Sequence, residues 1–310
     1  LTKHFSPEKA KRIAEPMLWA EMHGKNSQGL LKLTGSEPLT AAKPTGELEI
    51  TNRTQVSISI KANSQPSFYA AQIGTDILIE KALQAGFSVV GINGVHTSCG
   101  TLGFYVERMA KAGLIGFMTA RSSGCVAPFG GLSQLYGTNP LAFGFPTAGE
   151  PLTFDMATAA ITWYGLVLAR MRGETIPAGR AVDKKGRPTI DPAAAMQGGI
   201  LPFGGDHKGA GLSMMVEMLS GPLVGASYCD TEATKDWGIF LLAFKPDLLV
   251  DAEEFRHHAS QLVELTRNQP RIDANVPVRV PGDAAAAFAA KVEKTGVLEI
   301  EDEVAVILGI

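Results

Sequence analysis

The chain has 310 residues, 45% of them hydrophobic and 19% charged, with a formal net charge of −3. This describes an ordered globular protein able to bury a large core, with no electrostatic reason to expect nucleic acid or an anionic membrane surface as a partner. No apolar run reaches the roughly 20 residues that span a bilayer, and Cys99, Cys125 and Cys229 form no CxxC pair, which argues against a disulfide scaffold and a cysteine zinc site.

The first residues, LTKHFSPEKAKRIAE, carry no signal-peptide apolar region, so a cytoplasmic protein with reduced thiols is expected. Ser6, Pro7 and Glu8 supply a capping hydroxyl, a first-position proline and a first-turn acid, the signature of a helix start. Apolar spacing runs on through Met17, Leu18 and Met22, with Pro16 expected to kink or interrupt the helix. Residues 34–47 are turn-rich and read as a connection, and LEITNRTQVSISIK (48–61) alternates as a hairpin through Asn52.

From residue 68 the pattern changes. FYAAQIGTDILIEKALQAG is an amphipathic helix ending at Gly86, FSVVGI a buried strand, TLGFYVERMAKAG a helix closed by Gly113, and LIGFMTA a second buried strand. Helices alternating with buried strands predict an α/β fold with a predominantly parallel, helix-covered sheet. Glycine and proline are dense after residue 121. A helix follows over 160–172, then a turn-rich loop, a helix in KGAGLSMMVEMLSGPLVGA, a strand in WGIFLLAF and an amphipathic helix over 252–268. The tail reads as extended, helical, then extended again.

His96 falls in a Gly/Ser/Thr loop past the end of a predicted parallel strand and before a helix, the edge where open α/β sheets bind ligands. Two readings stand on position alone: a hydrogen-bonded surface residue, or a proton donor with a pKa of about 6.5. GGDHKGAG (204–211) puts His207 and Lys208 in a glycine-rich turn opening a helix. That suits close approach to a phosphate, or equally a tight turn with a solvated lysine. It is neither a Walker A sequence nor a GxGxxG fingerprint. Cys99 has no Cys-His-Asn pattern around it and reads as a packed thiol, and the adjacent His257 and His258 cannot chelate as an i,i+4 pair would. No metal site is expected.

Seven segments taken together resemble one family. They are AEMHGKNSQGLLKL, GVHTSCGTLGFYVERMAKAGLIG, VAPFGGLSQLYGTNPLAFGFP, FDMATAAITW, ETIPAGRAVDKKGRPTIDP, LPFGGDHKGAGLSMMVEMLSGPLVGA and VRVPGD, in that order over about residues 20–283. They are similar to the malate/L-lactate dehydrogenase type of oxidoreductase that lacks the Rossmann fold, which includes malate, sulfolactate and ureidoglycolate dehydrogenases, diketogulonate reductase and piperideine-2-carboxylate reductases. The resemblance implies a non-Rossmann central sheet domain binding NAD or NADP (66–270), a smaller helical domain built from the chain termini (1–65 with 271–310), and a homodimer.

The resemblance also implies site residues. His96 matches the histidine of the family's HFG segment and takes the acid/base role. Ser122 matches a substrate-contacting serine. Asp155, Met156, Ala157 and Thr158 match the segment lining the dinucleotide, with His207, Lys208, Gly282 and Asp283 completing that site, while Asn139 fixes its loop. Ser27, Gln28 and Lys32 lie in SQGLLK, where the family usually has SHGxxR, and are expected at the substrate. Gln28 replaces a histidine and cannot give up a proton at pH 7. Lys32 replaces an arginine and offers a carboxylate a point charge instead of a planar fork. These departures suggest a substrate outside the simple malate or lactate set: a small 2-imino or 2-keto acid, with a cyclic imino acid such as piperideine- or pyrroline-2-carboxylate favoured, reduced by hydride transfer with His96 as proton donor. A malate/lactate-type dehydrogenase and a catalytically silent dinucleotide-binding protein are the alternatives.

Overall fold

A computed structural model of the chain describes residues 1–33, 39, 43–229, 236–300 and 302–309. The Ser6 side chain accepts the Lys9 N–H and caps α1 (Pro7–Met22). The helix continues past Pro16 without interruption. Ala10, Ile13, Met17 and Ala20 are buried along it, and packing of that face outweighs the one backbone hydrogen bond a proline removes. Residues 34–38 and 40–42 of the expected connection lie outside the described residues. The hairpin is present as β1 (Glu49–Asn52) and β2 (Ser57–Lys61), but it reverses over 53–56 rather than at Asn52.

Next come α2 (Ser67–Ala85), β3 (Phe87–Val95), α3 (Gly103–Lys111) and β4 (Ile115–Ala120). Gly86, at φ +83°, ends α2 in the left-handed conformation that glycine adopts at least cost. Within the Gly/Pro-dense stretch, β5 (Leu141–Phe145) and β6 (Leu152–Met156) form an antiparallel meander with β4. After α4 (Trp163–Met171), the turn-rich loop contains β7 (Ala181–Val182), β8 (Pro188–Thr189), α5 (Pro192–Gln197) and β9 (Gly199–Ile200); its strands make a small three-stranded sheet. The chain then forms α6 (His207–Ser220), β10 (Trp237–Phe244), α7 (Ala252–Arg267), α8 (Asp283–Thr295) and α9 (Asp302–Leu308).

The central sheet has the order β1-β2-β3-β10-β4-β5-β6. The expected predominance of parallel pairing is corrected: β2 and β3 pair in parallel, and each other neighbouring pair in this sheet is antiparallel. The physical reason is the late strand β10, which lies antiparallel between β3 and β4. β3 and β4 therefore run in the same direction, as their helical crossover requires, but they are not neighbours. The hairpin, within the segment expected to end at residue 65, forms one edge of this sheet.

Helices cover both faces. A side chain on Gly74 of α2 would meet Ile92, whereas one on the preceding residue of β3, Gly91, would meet Val224 beyond α6. Successive strand residues face opposite sides, so α2 and α6 lie on opposite faces. The main core joins Ile60, Leu78, Ile92, Met109, Met118 and Leu241 from α2, α3 and the sheet. At the end of the chain α8 packs on α1 and α9 on residues 30–33. The last segment is thus helical, not extended as its β-branched residues suggest: Val304 is buried, and docking overrides a weak strand propensity.

Candidate active site

β3 and β4 run together and β10 against them, so the C-terminal ends of the first two and the start of the third meet at one edge of the sheet. A cavity of about 450 Å3 opens there, within the range of small-molecule sites. Its wall is built from Val95 and Thr97–Gly100 after β3, Ala120–Cys125 after β4, Thr138 and Pro140 before β5, and Trp237 and Ile239 of β10. Gln28 and Lys32 close it from the N-terminal segment, and Thr162, Trp163 and Tyr164 from the start of α4.

Two clasps hold these elements in place. Asp155 Oδ2 accepts from Lys25 Nζ (2.9 Å), from the Gly103 N–H (2.9 Å) and from the Thr101 hydroxyl, joining β6, the start of α3 and the turn that carries Gln28. Glu21, buried in α1, accepts the Leu30 N–H at 2.6 Å and fixes the turn carrying Lys32. On the other side lies a buried ion pair, Arg121 Nε to Glu217 Oε1 at 2.9 Å. Arg121 also donates to the Asp236 carbonyl (2.9 Å), the Ser122 carbonyl (2.9 Å) and Ser227 Oγ (3.3 Å). Asn139, at φ +40°, donates from Nδ2 to Glu217 Oε2 (2.8 Å) and to the Ser213 carbonyl (3.0 Å). This network ties the cavity wall at Arg121–Ser122 to α6 and to the GTNP turn.

Lys32 is only 4% exposed, and its Nζ lies 3.3 Å from the centroid of the Tyr164 ring. The ring lies where its π face stabilises the ammonium. Thr162 caps α4 by accepting the Gly165 N–H at 3.0 Å, which sets Trp163 and Tyr164 at the cavity mouth. Burial pushes the Cys99 thiol up to about 12, so it stays protonated and is no nucleophile at neutral pH.

The structure brings together Gln28, Lys32 and Ser122, but not Ser27 or His96. Val95 and Thr97 line the cavity and His96 between them does not, the alternation expected of extended chain. None of the six histidines lines it. The proton-donor role expected for His96 therefore has no support in the geometry of this cavity.

The residues expected at the dinucleotide are also divided. Asp155, Gly282 and Asp283 line a separate cleft of about 1390 Å3 between α1, α3, β6, α7 and α8. Met156, Ala157, Thr158, His207 and Lys208 line neither space. Thr158 is buried and donates to the Asn139 carbonyl at 2.9 Å. His207 and Lys208 are exposed at the start of α6, whose first N–H groups already donate to Asp206 and hold its carboxyl below the usual range. The cleft carries Lys25, Lys111, Arg267 and Arg279, but its carboxylates outnumber these cations. Net charge there does not favour a polyanion.

Sequence reasoning missed Ser98, Arg121, Trp163, Tyr164 and Trp237. A threonine N-cap followed by two aromatic residues was a legible signal for Trp163 and Tyr164; Trp237 depends on β10 crossing to this edge, which no local pattern announces. Among the described residues no group of three or more His, Cys, Asp or Glu is placed to hold a metal ion, and no helix is long and apolar enough to cross a membrane.

A family model described as malate/L-lactate dehydrogenase matches residues 1–308. The malate/(S)-sulfolactate dehydrogenase of Methanothermus fervidus is 34% identical over 94% of this chain and 87% of its own length. The NAD(+) ureidoglycolate dehydrogenase of Escherichia coli O157:H7 is 38% identical over 82% of this chain and 75% of its own. The crystal structure of the delta1-piperideine-2-carboxylate reductase of Pseudomonas syringae superposes with a TM-score of 0.86 at 31% identity, covering 98% of this chain and 93% of that one. With the antiparallel insertion of β10, the cavity at the strand ends and this near-complete match in agreement, the chain belongs to the malate/L-lactate dehydrogenase family and is an oxidoreductase of a family whose members imply a nicotinamide cofactor.

Proposed function

We propose that the protein reduces a small cyclic 2-imino acid, of the pyrroline- or piperideine-2-carboxylate kind, with NADH or NADPH. The observation that carries this reading is a cavity with a buried cation, Lys32, among apolar and neutral polar walls and with no histidine. The second cation at the wall, Arg121, is engaged by Glu217, Ser227 and two carbonyls. We assign the substrate carboxylate to Lys32, while Trp163, Trp237 and Ile239 suit an apolar ring better than a second acidic group.

The donor set fits the nicotinamide end of the cofactor. The Gln28 amide and the Ser98 and Ser122 hydroxyls are the neutral groups a carboxamide needs, beside the indoles of Trp163 and Trp237. When bound, the reduced nicotinamide supplies a hydride. Lys32 holds the substrate carboxylate, Gln28 and Ser122 orient the group beside it, and the aromatic walls exclude water from the reacting carbon. A cyclic imine takes its proton from solvent and enters as the iminium. As hydride adds to C2, the C=N π pair moves to nitrogen and gives the amine, with no acid required of the chain. A 2-keto acid needs a donor for its developing oxyanion.

The test is a pair of variants. Lys32→Met should raise KM for the cyclic imine about 10- to 100-fold, the loss of a charge-assisted hydrogen bond. His96→Ala should stay within about twofold of the parent. A large loss of kcat in His96→Ala with cofactor binding intact would return the proton to that histidine and remove the argument for an iminium.

A further inference from the structure

We infer that Trp237 is a specificity-determining residue of this cavity: a fixed indole wall that limits how far the ring of the substrate can extend. The inference rests on the reading that the cavity takes a cyclic 2-imino acid. Trp237 opens β10, lines the cavity and is only 9% exposed. Its indole N–H donates to Ser123 Oγ at 3.1 Å, which holds the ring from the loop after β4. It also belongs to the main core, together with Val95 and Ile239 of the same cavity wall.

The backbone that carries the indole is fixed at three points. Trp237 pairs with Val95 and Ile239 with Ile92, so Gly238 faces two residues of β3, Asn93 and Gly94, in a β-bulge. Gly94 takes a φ of +71°, its N–H donates to Asp236 Oδ1 at 2.7 Å, and Asn93 Nδ2 donates to the Val224 carbonyl at 2.8 Å. The Asp236 carbonyl accepts from Arg121 Nη1 at 2.9 Å and from Ser227 Oγ at 2.8 Å. At Gly238 the Ser220 carbonyl leaves no room even for a Cβ. The start of β10 therefore has nowhere to withdraw when a larger ligand enters. A wall this rigid selects by size, because a ring that does not fit must strain the core behind it.

The experiment compares binding of pyrrole-2-carboxylate and indole-2-carboxylate to the full chain with saturating NAD+ or NADP+. The probes share the acid and the ring N–H and differ by one fused benzene ring, and hydride transfer consumes neither. The parent should bind pyrrole-2-carboxylate the more tightly. Trp237→Leu should shift the ratio of the two dissociation constants about tenfold or more toward indole-2-carboxylate, because the added ring fills the apolar space left by the indole. Trp237→Phe, a smaller truncation that spares the core, should shift the ratio in the same direction by less. Cofactor binding in each variant controls for folding.

A parent that prefers indole-2-carboxylate would overturn the inference. So would a ratio unchanged in both variants while pyrrole-2-carboxylate still binds, and in that case the reading of the cavity survives. Loss of both probes in both variants, with the cofactor still bound, would make the indole a support for the ring instead of a limit to it, and the inference fails. If the parent with its cofactor bound takes neither probe, the cyclic-acid reading of the cavity fails as well.

Discussion

Arg121 and Glu217 show how individual residues keep the cavity wall in place. Both are almost wholly buried, and their ion pair is supported by Asn139, Ser227 and two carbonyls. Removing one partner strands the other as a buried charge, so Arg121→Leu and Glu217→Leu should each lower unfolding free energy by about 3–5 kcal/mol. The double variant should lose clearly less than the sum, as read by urea denaturation in a double-mutant cycle. Additive losses would mean that the pair is not coupled. Little of this was legible in the sequence. Gln28, Lys32 and Ser122, which line the cavity, stand in local motifs that can be read from the chain, whereas Arg121 meets Glu217 only after a long loop of chain brings α6 onto the sheet. His96 lies just after β3 and is not among the residues that line the cavity.

At the scale of elements, β10 decides the architecture. It enters between β3 and β4 with helices against both faces, and at Gly238 it passes so close to the end of α6 that a Cβ would collide with the Ser220 carbonyl and with Val224. Gly238→Ala should therefore cost about 1–3 kcal/mol or more, seen as a lowered denaturation midpoint. Unchanged stability would show that α6 can withdraw from the sheet. The alternation of α2, β3, α3 and β4 was readable because its periodicities and glycine stops are local. Strand adjacency was not, since a hydrophobic eight-residue run says that it is buried without saying between which neighbours. β5 and β6 were obscured by the glycine and proline around them. The final helix was obscured by β-branched residues whose docking surface lies at the other end of the chain.

For the molecule as a whole, the core stores its titration in buried neutral groups. Burial pushes the Cys99 thiol up from 9.0 to about 12 and the Tyr105 phenol well above 10.0, and the Tyr105 hydroxyl donates to the Cys99 carbonyl at 2.9 Å. Both pKa values are raised on folding, so their contribution is complete below about pH 9, where neither ionises in the unfolded chain, and is lost as pH rises toward 12. Urea denaturation should show stability falling over that window, less steeply in Cys99→Ala. An alkaline slope identical in the variant would remove Cys99 from the explanation.

The same core presents strand ends that build the cavity, and the chemistry proposed there is open to direct assay. Nicotinamide absorbance should be followed with NADH and NADPH in parallel against pyrroline-2-carboxylate, piperideine-2-carboxylate, pyruvate, oxaloacetate and a linear 2-keto acid. Rapid oxidation of the cofactor by the two cyclic imines, with the keto acids far slower, is the expected result. Preferential turnover of oxaloacetate or pyruvate would contradict it, because a ketone demands the proton donor that none of the histidines provides at this cavity.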